Sequence, residues 1–238
     1  AVSMADKIDT IAGIFSIGKA PTGSEDPYAL RRSALGIISM IYSGGFRISL
    51  KPLISEAVSL LEVNDEAKAA LQDAVLDFFR QRVSGQLTSE GYAYDTVDSV
   101  LATYFDDVID ARERVVAISD FRKSDGFPAF ITAFKRVANI IPAGFQEKLD
   151  EGLLTEPAEK DLYYHYHEIK DEVFSNIESG RYAHVLDRIA GIRPFVDKFF
   201  DEVMVMDKDE AIKSNRLALL GLLAGMFLRL ADIRKIVV

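Results

Sequence analysis

Residues 65–83 read DEAKAALQDAVLDFFRQRV. Leu71, Ala74, Val75, Phe78 and Phe79 recur there at the three- and four-residue spacing that stacks side chains on one face of an α-helix. Acidic, basic and amide residues fill the other positions, and no Pro or Gly interrupts them. The same period runs outward in both directions. It predicts helices over 50–61, 27–42 and 6–17 on one side. On the other it predicts helices over 94–105, 107–122, 128–141, 156–179, 182–190, 194–204 and 209 to about 236. In 27–42, Asp26 can cap, Pro27 can take the first helical position, and Gly44-Gly45 stop the helix. Pro157 and Gly180 bracket 156–179 in the same way. No hairpin pattern, repeat or low-complexity tract is present. The expected fold class is all-α, with helix pairs joined by short loops.

The chain has 238 residues, no Cys, no Trp, three His and a net charge of −9. Such a length makes one large domain or two small ones. Lack of Cys excludes a disulfide scaffold, a thiolate zinc site and a cysteine nucleophile. The most apolar run, 217–228, is short for a bilayer span and reads as a buried helix. The first residues carry charge too early for a signal peptide. They also lack an initiator Met and begin mid-pattern, so a fragment of a longer protein is expected. The best internal boundary is 84–91, SGQLTSEG, with two Gly and no apolar period. Charge is uneven about it: residues 1–88 carry net −1 and 89–238 net −8. A bulk basic footprint for nucleic acid is therefore absent.

Several chemical signals fail on inspection. Residues 13–20, GIFSIGKA, nearly match a phosphate loop, but Ala20 stands where a hydroxyl would hold magnesium, and a helix rather than a strand precedes it. His165 and His167 lie two apart, about 200° around a helix, and cannot clasp one ion. His184 has no acid or nucleophile constellation around it. Paired carboxylates such as Asp106-Asp107 and Asp201-Glu202 read as solvated helix faces. No catalytic residue and no metal ligand is assigned.

Three stretches are specific in combination. The first joins ADKIDT at 5–10 to PTGSEDPYALRR at 21–32; the second is FKRVANI at 134–140; the third joins FFDEVMVM at 199–206 to NRLALL at 215–220. In this order the chain resembles the C-terminal part of the beta subunit of bacterial tetrameric glycyl-tRNA synthetase. The resemblance implies that 1–88 is the C-terminal part of an HD-like helical domain. It implies that 89–238 is a helical anticodon-binding domain similar to that of arginyl-tRNA synthetase. It further implies ATP-dependent glycylation of glycine tRNA at an alpha subunit within a cytoplasmic heterotetramer. ATP and magnesium then belong to the holoenzyme, with no cofactor in this stretch and no membrane partner. An HD metal site would need His residues upstream of Asp6, and no His precedes His165.

Within 128–141, Phe130, Phe134, Val137, Ala138 and Ile141 share one arc, and Lys135, Arg136 and Asn139 share the opposite one, each about 100° wide. Glycine anticodons carry two fixed cytosines. An unstacked cytosine offers acceptors to Arg or Asn and an amino group to a carboxylate or carbonyl. Lys135, Arg136 and Asn139 are thus the first RNA-contact candidates, joined by Asn215 and Arg216 at the start of the last helix if they face the same groove. Arg31 and Arg32, beside the 22–24 loop, are candidates for a phosphate contact. Arg229, Arg234 and Lys235 are expected to complement the last helix's dipole. The competing reading is a helical protein-interaction scaffold without RNA binding, which the acidic surface suits.

Overall fold

The computed structural model describes residues 1–23 and 25–238; Ser24 of the candidate phosphate loop lies outside them. The helices are α1 (Val2–Ser16), α2 (Leu30–Gly44), α3 (Leu50–Ser59), α4 (Asp65–Ser89), α5 (Tyr94–Leu101), α6 (Val108–Phe121), α7 (Phe127–Ile140), α8 (Pro157–Glu178), α9 (Tyr182–Gly191), α10 (Arg193–Glu202) and α11 (Glu210–Leu228). Short 3-10 turns cover Glu151–Leu153 and Ile233–Lys235. Among the described residues the only β pairing is two isolated bridges. The all-α expectation holds.

Two compact units form. One is 1–97 with 104–112, and the other is 98–103 with 113–238. In the first, α1 packs on α2, α3 and α4. Ile11, Ile37, Ile41, Val75 and Phe79 are fully buried there. In the second, α7, α8, α10 and α11 form the core, with α9 against α8. Edge-to-face and tilted ring pairs, Phe121–Phe130 at 5.1 Å, Phe130–Phe134 at 4.6 Å and Phe130–Phe227 at 5.6 Å, join α6, α7 and α11. These contacts turn the apolar arc of α7 inward.

Helix limits differ from expectation where side chains override local propensity. Asp26 does cap α2, accepting the N–H of Leu30 at 2.8 Å and of Arg31 at 3.0 Å, but from before an intervening turn. Pro27 sits in that turn, and Ala29 is left-handed at φ 55°. At 84–91 no loop forms until the end: α4 continues through Ser89, because Val83 and Leu87 extend its buried stripe past Gly85. Asp106 and Asp107 are not a solvated face. Buried Asp106 accepts from the Ser49 hydroxyl, and Asp107 caps α6 through the N–H groups of Ile109 and Asp110, both at 3.0 Å. The last helix stops at Leu228 rather than near 236. Beyond it, the Asp232 N–H reaches the Ser99 carbonyl at 2.8 Å, and the Asp232 carboxylate starts a new turn by accepting the Arg234 N–H. Arg234 and Lys235 consequently pair with Asp232 and Asp98, both at 2.8 Å, instead of serving the helix dipole. By length and composition α11 could cross a bilayer. Leu217, Leu219, Leu220, Leu223, Met226 and Phe227 instead build it into the protein core.

Candidate nucleic-acid interface

The ring cluster beneath α7 leaves Arg136 and Asn139 exposed and Lys135 half-buried along its outer side. Among the described residues neither Lys135 nor Arg136 has a carboxylate partner. The Arg136 guanidinium instead lies 4.0 Å from the centroid of the Phe200 ring on α10. A cation held against an aromatic face loses rotamer freedom but keeps its edge donors for a ligand. After Phe200 the chain leaves α10 through the exposed pair Asp201-Glu202 and a loop carrying Met204 and Met206, which are 74% and 57% exposed. Sequence reading used FFDEVMVM only as a family marker. Its outward Met side chains and its Phe shelf escaped notice because alternating apolar residues in a short stretch normally point inward.

Asn215 and Arg216 behave differently. They are 4% and 5% exposed. Arg216 Nε donates to the buried Glu159 carboxylate, while its Nη1 donates to Asp207 Oδ2 at 2.7 Å and to the Met204 carbonyl at 2.9 Å. Glu159 Oε2 also accepts the N–H groups of Thr155 at 2.7 Å and Glu156 at 3.0 Å, closing the first turn of α8. Asn215 Oδ1 accepts the Asp150 N–H at 2.7 Å. The pair therefore clamps three segments onto α11: the approach to α8, the α8 start and the loop after α10. Both side chains are buried and Arg216 is spent on partners within the protein, which corrects the reading that Asn215 and Arg216 line a groove with Lys135. Burial pulls the Arg216 guanidinium's pKa down, but Glu159 and Asp207 outweigh it and raise the pKa above its ordinary value. The Asp207 carboxyl is held below the usual range, first by the Asp209 N–H and also by Arg216.

Arg136 and Arg216 nevertheless act on one feature. Arg136 covers Phe200, and Arg216 holds the carbonyl of Met204. Together they fix the end of α10 and the loop beyond it, one from outside and one from beneath.

Arg31 and Arg32 do not converge. Arg32 is exposed, whereas Arg31 Nη2 donates to the Gly23 carbonyl at 2.6 Å. The near phosphate loop at 13–20 is no cradle either. Gly13 lies inside α1, and the N–H groups of Gly18 and Lys19 are spent on the Phe15 and Ile14 carbonyls. His165 stacks on Phe195 at 3.5 Å, and His167 meets Tyr163 edge-to-face at 4.2 Å. Among the described residues no three His, Asp or Glu side chains gather as a metal site.

Comparison with known proteins gives this geometry a context. The family model for the glycyl-tRNA synthetase beta subunit matches residues 1–102, and that for the DALR anticodon binding domain matches 131–233. The chain belongs to the glycyl-tRNA synthetase beta subunit family. It is 41% identical over its full length to a glycine–tRNA ligase beta subunit from Clostridioides difficile and 43% identical to one from Desulforamulus reducens. A third relative, from Geobacter metallireducens, is 44% identical over 99% of this chain. The chain spans about a third of the length of these relatives, 34% in each case. Within the family frame, α7 from Ile131 onward and α8 through α11 lie inside the anticodon-binding match, and α1 through α4 inside the beta-subunit match.

Proposed function

We propose that this chain is the tRNA-recognition part of a glycine–tRNA ligase and reads the anticodon of glycine tRNA with the outer side of α7. The observation that carries the reading is the Lys135–Arg136–Asn139 stripe. It is a cationic and amide surface without countercharge, on an aromatic platform, inside the segment matching an anticodon-binding domain. Arg136 and Asn139 supply donors for the O2 and N3 acceptors of an unstacked cytosine. Asp201 or Glu202 supplies an acceptor for its N4 amino group, so acidic neighbours suit this base. Met204 and Met206 offer apolar faces to a base that has left its stack. Lys135 serves as a point charge for the phosphate beside it.

In this reading ATP-dependent glycylation takes place on an alpha subunit within a cytoplasmic heterotetramer, and ATP and magnesium belong there. The residues described here form no metal cluster, and we assign none of them a catalytic step. Their work is to bind and orient the tRNA. The net −8 of residues 89–238 opposes a polyanion over the Debye length of about 8 Å. Specific contacts rather than bulk attraction must therefore supply discrimination, and the remainder of the enzyme most of the affinity.

Crosslinking tests the reading. With a photoreactive group at the position of Arg136 in the full-length protein, glycine tRNA should be labelled in its anticodon loop. Labelling of a protein partner with no RNA adduct would favour the helical scaffold instead.

A further inference from the structure

A cavity of about 500 Å³ opens in the first compact unit between the end of α1, the 20–23 loop, Arg31 of α2 and one side of α4. Its walls are of two kinds. Phe15, Pro21 and Phe78 form an apolar side, with Phe15 and Phe78 edge-to-face at 5.2 Å. Arg31, Gln81 and Arg82 form a polar one. Among the described residues, no carboxylate lies within ion-pairing distance of either guanidinium. Arg31 gives one N–H to the Gly23 carbonyl. Arg82 lies 4.5 Å over the Phe78 ring, touches Gln81 Oε1 only at 3.4 Å, and has a sealed Nε without an acceptor. The two oxygens of the Asp26 carboxylate are already taken by the Leu30 and Arg31 N–H groups. Burial, and then the positive charge of Arg31, lowers the pKa of Arg82, while Asp26 opposes the fall. Two cations thus face one cavity without a countercharge of their own.

We propose that this cavity binds the phosphate group of a nucleotide, free or within an RNA strand, between Arg31 and Arg82, with its sugar or base against Phe15, Pro21 and Phe78. Two guanidiniums present forked donors that match a tetrahedral oxyanion. The volume exceeds what a lone phosphate fills and falls in the range of small-ligand sites. The apolar wall gives the excess a use. The proposal replaces Arg32, the sequence-adjacent candidate, with Arg82, which the fold brings from α4. It does not depend on the α7 reading, because it rests on residues of the other unit.

The test is equilibrium dialysis of the full-length protein with three labelled probes: inorganic phosphate, AMP and a 5′-phosphorylated tetracytidylate. At least one ester should bind, and more tightly than inorganic phosphate. Arg31→Gln and Arg82→Gln should each weaken that binding about tenfold or more, the worth of a charge-assisted hydrogen bond. Arg32→Gln, which removes the same charge outside the cavity, should change it less than about twofold. Binding of AMP identifies a free nucleotide as the source, and binding of the tetracytidylate alone identifies a strand phosphate. If Arg82→Gln lowers the melting temperature, Arg82→Lys replaces it. Lysine keeps the charge but loses the fork, so the ester should bind more weakly while inorganic phosphate is less affected. The proposal is overturned if no ester binds, or if Arg32→Gln costs as much as Arg82→Gln. It is also overturned if Arg31→Gln and the folded Arg82 variant leave ester binding unchanged. None of these failures touches anticodon discrimination by α7.

Discussion

Arg136 on α7 and Arg216 on α11 support the same turn of chain and do opposite jobs. Arg136 is exposed, has no carboxylate partner and rests on the Phe200 ring. Arg216 is buried, saturated by Glu159, Asp207 and the Met204 carbonyl, and holds the loop from within. A guanidinium is available to a ligand when its charge is left uncompensated at the surface. It becomes a structural element when carboxylates enclose it. The same residue type in neighbouring family markers thus divides into one left open at the surface, which we propose reads RNA, and one that braces.

Substitutions can break this division. The largest effect is expected from Arg216→Ala, which strands the buried Glu159 carboxylate and releases Met204. Chemical denaturation should show a loss of about 3–5 kcal/mol. Arg216→Lys should recover only part of it, because an ammonium cannot reach Glu159 and Asp207 with a planar fork. Next comes Asn215→Ala, which leaves the Asp150 N–H without its acceptor and should cost about 1–3 kcal/mol in the same experiment. Arg136→Ala should cost no more than about 1 kcal/mol, the worth of an exposed cation–π contact, while tRNA binding falls. A stability loss from Arg136→Ala equal to that of Arg216→Ala would erase the contrast.

The smallest effect depends on pH. Asp207 titrates below its ordinary value in the folded protein, so its contribution is present above the unfolded-state pKa of about 4 and fades as pH falls through the lower folded value. The melting-temperature advantage of the native protein over Asp207→Asn should therefore be full at pH 6 and shrink below about pH 4. An advantage that persisted undiminished into stronger acid would show that it does not come from the Asp207 charge.

The helical fold was legible because its signal is local and repeated. The Leu71–Phe79 face of α4 and the Phe130–Phe134–Val137 face of α7 appear in the sequence as they pack. Even the misread loop at 84–91 carried its own correction, since Val83 and Leu87 keep the four-residue step across Gly85. Pairings distant in sequence were not legible. Arg216 meets Glu159 across 57 residues, and nothing near either one announces the other. Asn215 and Arg216, at the head of an apolar run, read as RNA-contact candidates, whereas the fold makes them a clamp. Arg82 resembled any charge on the solvent side of α4 until the fold placed it across a cavity from Arg31. The α7 stripe was visible as a pattern, but its Phe200 shelf lies on another helix.

The most direct test of the account measures kcat/KM for glycylation with two tRNAs, one carrying the glycine anticodon and one with an anticodon cytosine replaced. The full-length enzyme and its Arg136→Ala form are compared at unchanged melting temperature. The account predicts that the native enzyme prefers the cytosine-bearing tRNA by roughly tenfold or more, the value of one good base contact, and that the variant loses most of that preference. Full retention of the preference by the variant would contradict it.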